Sequence, residues 1–101
     1  MITTKFVIDD KFNSKGLGLI LCGTVLKGCI QIGQSLMFGP DRNGNFKQLV
    51  VKDMQENRVP ITIAHENQQI TLKVKAKENI KVDHIRKGSF LINPILQKVK
   101  G

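Results

Sequence analysis

The chain predicts an all-β fold, a sandwich or barrel of short antiparallel strands, and three observations carry that expectation. QQITLKVKAK, residues 68–77, alternates with period two. Ile70, Leu72, Val74 and Ala76 share one face, and Gln69, Thr71, Lys73, Lys75 and Lys77 the other, as in a strand with one buried side. Short apolar runs are separated by turn-forming pairs: Lys27-Gly28, Ile32-Gly33, Gly39-Pro40, Asn43-Gly44 and Lys87-Gly88. Finally, glycine interrupts GLGLILCGTVLKGCIQIGQSL at positions 16, 18, 23, 28 and 33. A small sheet that coils sharply and closes needs bulges and corners at such points, so the pattern suggests a tightly bent barrel.

The elements follow in order. Thr3–Asp9 reads as the first strand. Gly16 and Gly18 stand at the entry to a second, Leu19–Val25, with Gly23 at a kink inside it. Gly28 and Gly33 serve the next turns before the apolar run Ser35–Phe38. NFKQLVVKDMQENRV, residues 45–59, is ambiguous: Phe46, Leu49, Val50, Asp53 and Met54 also fit a helical stripe. Val50 and Val51, in an all-β context, favour strand. Ile61–Ala64, residues 68–77 and Ser89–Ile92 complete the set.

Totals bound the function. A chain of 101 residues holds one domain with one modest core. Strand-like sequence directly after Met1 fits a domain excised from a longer protein. No apolar run approaches the ~20 residues of a membrane span, and no basic stretch leads into a long apolar one, so neither membrane insertion nor a secretory signal is expected. Two cysteines, Cys22 and Cys29, are fewer than a secreted domain of this size carries, which favours a reduced cytoplasmic setting with both as buried free thiols. Sixteen Lys and Arg against eight Asp and Glu leave a net charge of +8, which favours anionic partners, nucleic acid among them.

FVIDDKFNSKGLGLILCGTVLKGCIQIGQSL, residues 6–36, closely resembles the start of the second domain of translational GTPases, including elongation factor Tu. The shared spacing is an acid two before Phe12, then Gly16-x-Gly18, Gly23, Gly28, Ile30 and Gly33 ahead of an apolar strand. Ile70–Val74, Ile85-Arg86-Lys87-Gly88, Phe90-Leu91 and Pro94 extend the resemblance over residues 5–94. A Gly-Pro-Asp-x-x-Gly-Asn-Phe loop at 39–46, with Val51-Lys-Asp-Met and Arg58-Val-Pro-Ile, is similar to the GTP-binding-protein one and two branch.

The resemblance implies a small closed antiparallel Greek-key barrel of about seven strands, one domain over residues 1–101, standing beside a nucleotide-binding domain. This chain has no G-x-x-x-x-G-K-[ST] phosphate loop and no Asn-Lys-x-Asp guanine-reading motif. It is therefore expected to be non-enzymatic and to hold no cofactor, with GTP and magnesium belonging to the neighbouring domain. Implied partners are tRNA or the ribosome and that GTPase domain, with no membrane and no DNA. By position, Asp10, Phe12, Asp53 and Gln69 match the cleft that holds the terminal adenosine and esterified amino acid of tRNA. Phe12 would stack, Asp10 accept from the α-ammonium group, Asp53 accept from a ribose hydroxyl, and Gln69 donate or accept.

Lys52, Arg58, Lys73, Lys75, Lys77, Arg86 and Lys87 form the basic set, with Lys73, Lys75 and Lys77 a phosphate-tracking stripe on one face. Edge lysines also serve to block aggregation. Where elongation factor Tu is more polar, this chain has Leu17 and Leu19, and with Leu21 they suggest a face that packs on a neighbouring domain. That face is also the basis of an alternative, a protein-interaction barrel that binds no RNA. No catalytic or zinc set is legible: His65 and His84 lie far apart in polar loops, and Asp9 and Asp10 alternate across a strand. Asn67 stands where the family has glycine, a position that asparagine tolerates in left-handed geometry.

Overall fold

The structure, a computed structural model, describes residues 4–14, 18–39, 44, 46–76 and 85–93. Nine strands make it up: β1 Lys5–Ser14, β2 Gly18–Lys27, β3 Ile30–Gln31, β4 Ser35–Phe38, β5 Lys47–Glu56, β6 Val59–Ile61, β7 Ile63–Ala64, β8 Gln69–Ala76 and β9 Phe90–Ile92. The main sheet runs β4-β9-β1-β2-β8-β5-β6, and an additional β4–β5 pairing closes it. Six antiparallel strands thus form the ring, and β6 extends it beyond β5. The expected closed barrel is present. Residues 61–64, expected as one strand, split between β6, which pairs with β5, and β7, which pairs with β3 in a separate two-stranded ribbon.

Alternation fills the interior. Leu19, Leu21 and Val25 of β2, Ile70, Leu72 and Val74 of β8, and Phe6 and Ile8 of β1 all point inward and are buried. Leu36, Phe38, Leu49, Val51, Met54 and Leu91 complete the wall, while Ile30 and Ala64 bring the ribbon into the same core. Each large apolar side chain withdrawn from water contributes roughly 1.5–3 kcal/mol.

This placement corrects one expectation. Leu19 and Leu21 are 8% and 0% exposed and face the barrel axis, so they do not form a docking face. Leu17 lies outside the described residues, as do Gly16, Lys77, His84, Pro94 and most of the loop at 39–46. The reason is register: β2 lies between β1 and β8, and its odd-numbered residues face the same interior as Phe6 and Leu72. Leu21→Ala is accordingly expected to lower stability by about 3 kcal/mol in urea titration, as a core cavity does; a change under ~0.5 kcal/mol would return Leu21 to the surface.

The ambiguous segment is a strand with a β-bulge. In β5 the register shifts between Val51 and Asp53, leaving Lys52 as the extra residue. Buried positions therefore step from Leu49 to Val51 and then to Met54. That three-residue step is what resembles helical spacing. A second bulge lies in β1, where the register with β2 shifts between Ile8 and Asp10. Asn67 holds a left-handed φ of 74°, as expected for its turn.

Candidate RNA-binding face

The two bulges build the outer face. Phe6 and Ile8 point inward, and unbroken alternation would carry Asp10 and Phe12 inward as well. Asp9, the extra residue, turns the rest of β1 over. Asp10 then pairs with Cys22 and Phe12 with Ile20, on the side of β2 opposite its leucines. Phe12 is half exposed. The bulge at Lys52 does the same on β5, sending Asp53 outward although Val51 points in. Bulges re-aim side chains at the cost of a local ladder hydrogen bond, and here both flank the β2–β8 pair.

Registers align these residues in rows. Phe12 pairs with Ile20, Ile20 with Lys73, and Lys73 with Asp53. One row across four strands thus holds an aromatic ring, an aliphatic side chain, a cation and a carboxylate, spanning about 14 Å at the ordinary strand spacing. The adjacent row is Asp10, Cys22, Thr71 and Gln55, and beyond it Thr24 pairs with Gln69. All four residues matched to the acceptor-end cleft, Asp10, Phe12, Asp53 and Gln69, therefore lie on one face.

Beside these rows an open groove of about 390 Å³ is lined by Asp9, Cys22, Gly23, Gln55, Asn57, Arg58, Gln69, Ile70 and Thr71. Of the four matched residues, Gln69 alone lines it. Its rim is the β5–β6 hairpin, a two-residue turn in which Asn57 and Arg58 have φ of 52° and 68°. Both central residues left-handed is the geometry that matches strand twist, and the second position ordinarily takes glycine. Holding arginine there costs of order 1–2 kcal/mol and brings a cation to the groove. Sequence reasoning picked out Arg58 for its charge but not for this turn, because Asn-Arg is not a usual pair for it.

The basic set is dispersed. Lys73 and Lys75 share the outer face of β8, and Lys52 is exposed at the bulge. Arg86 and Lys87 sit in the turn before β9, which is tied to the β1 bulge by Gly88 N–H to the Ile8 carbonyl (2.6 Å) and Ile8 N–H to the Ser89 carbonyl (2.8 Å). That turn places the Lys87 Nζ 3.8 Å from Asp10 Oδ1, an exposed pair of small energetic value. Asp10 Oδ1 also accepts the Lys11 backbone N–H at 2.9 Å. Cys22 is half buried, its Sγ 3.6 Å from Thr71 Oγ1, but Cys29 is exposed, contrary to the expectation that both thiols are buried. The reason is that Cys29 precedes the peripheral ribbon strand β3 rather than sitting within the barrel wall.

No family model matches the chain. It is 35% identical over 92 residues to GTP-binding protein 1 of Xenopus laevis, a match covering 91% of this chain and 14% of that protein. It is 28% identical over 88 residues to the selenocysteine-specific elongation factor of Escherichia coli strain K12, covering 87% of this chain and 13% of that factor. The solved structure of apo translation elongation factor SelB from Methanococcus maripaludis superposes with a TM-score of 0.76 at 21% identity, over 90% of this chain and 18% of that one, which shows the shared fold. The chain thus spans about one-seventh of the curated relatives it matches. It is homologous to a domain-sized segment of GTP-binding proteins of the translation-factor type. No helix among the described residues is long and apolar enough to cross a membrane.

Proposed function

From that homology we propose that this chain is the non-catalytic second domain of a translation-factor-like GTPase, and that its outer β1-β2-β8-β5 face binds the aminoacylated acceptor end of tRNA. The observation that carries this reading is the row Phe12–Ile20–Lys73–Asp53, turned outward by two bulges beside Asp10 and Gln69. Phe12 and Ile20 offer an apolar platform for a base. Asp53 accepts from a ribose hydroxyl, the group that separates RNA from DNA. Asp10 accepts from the ammonium of an esterified amino acid, and Lys73, Lys75 and Arg58 meet phosphates. GTP and magnesium would be held by a domain elsewhere in the parent. The interaction-barrel alternative loses its basis, since Leu19 and Leu21 are interior.

Titration of the chain with aminoacylated and deacylated tRNA over a range of KCl tests the reading. Charged tRNA is expected to bind more tightly, and affinity to fall with salt. Replacing Lys73 and Lys75 together by glutamine is expected to flatten the log–log salt slope by about 1.8, near 0.9 per lost phosphate contact. Salt-independent binding, or no preference for the charged form, would count against it.

A further inference from the structure

We propose that Cys29 and His65 form a thiol–imidazole pair that makes Cys29 a site of reversible mixed-disulfide formation with small anionic disulfides such as oxidised glutathione. The Cys29 Sγ lies 3.4 Å from His65 Nδ1, within hydrogen-bonding range for sulfur, and both residues are exposed. A nucleophile with a base in reach is the arrangement that covalent chemistry requires. A thiol without a neighbouring base reacts only through its small thiolate fraction.

The pair is held from both sides although 36 positions separate its members. The ribbon pairs Ile30 with Ala64, both fully buried, so Cys29 and His65 stand one step outward from an anchored rung. The Cys29 carbonyl accepts from Thr4 Oγ1 at 3.1 Å, and Gly28 N–H donates to Glu66 Oε2 at 3.1 Å. On the other strand, the His65 N–H donates to Gln68 Oε1 at 2.5 Å, and Asn67 N–H to the Val25 carbonyl at 2.7 Å. Cys22 differs in each respect: it is half buried and faces a threonine hydroxyl rather than a base.

With Nδ1 unprotonated, His65 accepts the thiol proton as the Cys29 sulfur attacks one sulfur of the incoming disulfide. The old S–S bond breaks as the new one forms, and the leaving thiolate departs with the electron pair and takes up a proton. Thiol and disulfide are thus converted to mixed disulfide and thiol, and the small disulfide is the only co-reactant. The chain's net charge of +8 favours an anionic disulfide, with Lys27 nearby and Glu66 occupied by the Gly28 N–H. Seven residues of β2 lie between Ile20 and Lys27, about 24 Å, so an adduct at Cys29 leaves the RNA-binding face open, and the inference does not rest on that reading.

Thiol release from dithiobis-nitrobenzoate and adduct formation with oxidised glutathione would be followed in the full chain, with Cys22→Ser, Cys29→Ser and His65→Gln variants. The fast reaction is expected to survive Cys22→Ser, vanish in Cys29→Ser and slow at least about tenfold in His65→Gln. Mass spectrometry should map a dithiothreitol-reversible glutathione adduct to Cys29. Equal rates at the two thiols, an unchanged rate in His65→Gln, or an adduct at Cys22 would overturn the proposal. Fast reaction with the aromatic disulfide but none with oxidised glutathione would overturn its ligand class.

Discussion

Gly23→Ala is expected to destabilise this barrel by about 3 kcal/mol or more, a large share of the total stability of a small domain. A Cβ at position 23 would stand 1.8 Å from the Val7 carbonyl oxygen and 2.8 Å from Phe6 Cζ. The first neighbour is backbone, so relief requires β1 to move away from β2, opening the ladder at the bulge. The same glycine makes the bulge possible: Ile8 pairs with Gly23 and Asp10 with Cys22, so the chain with one residue too many presses closest where the partner has no side chain. At ~4–8 °C per kcal/mol, the midpoint of thermal unfolding should fall by roughly 12–24 °C, read from the far-ultraviolet circular dichroism of the sheet. Gly33→Ala is the control. Its φ is +90° but nothing lies within 4 Å, so only the backbone preference is lost, about 1 kcal/mol. Equal losses at the two sites would mean that close approach of β1 does not decide the cost.

Phe12→Ala is expected to weaken binding of aminoacylated tRNA by about 5- to 150-fold, the 1–3 kcal/mol of a lost stacking platform. Phe12 is half exposed and points away from the core, so the fold should hold to within ~1 kcal/mol. Fluorescence anisotropy with end-labelled tRNA gives the affinity, and the thermal midpoint of the same sample reports the fold. Phe46, 44% exposed, matches Phe12 (50%) in exposure and stands outside the row, so Phe46→Ala should leave affinity unchanged. If both substitutions weaken binding equally, the row is not a specific site and the basic charge alone attracts RNA.

Much of the barrel was legible from residue order. β8 was readable residue by residue because one face is buried along its whole length, and burial on one side leaves a period of two. Turn positions were readable because glycine and asparagine supply left-handed backbone at little cost, as at Gly28, Gly33 and Asn67. Residues 45–59 were not, because the bulge at Lys52 breaks the alternation and imitates the spacing of a helix. The leucines of β2 were misread for a related reason. A strand that is apolar on both faces does not say which face is inside until its partners are set.

What the sequence by itself determined was the strand content, the turns, the candidate residues and the kinship of the chain. Tertiary structure alone decided which way those residues point: Asp10, Phe12 and Asp53 reach the outer face through two inserted residues, and Cys29 meets His65 through the pairing of a peripheral ribbon. A bulge is stable only against a particular partner in a particular register, here Gly23 opposite Asp9, and register is a property of strands together rather than of any one of them.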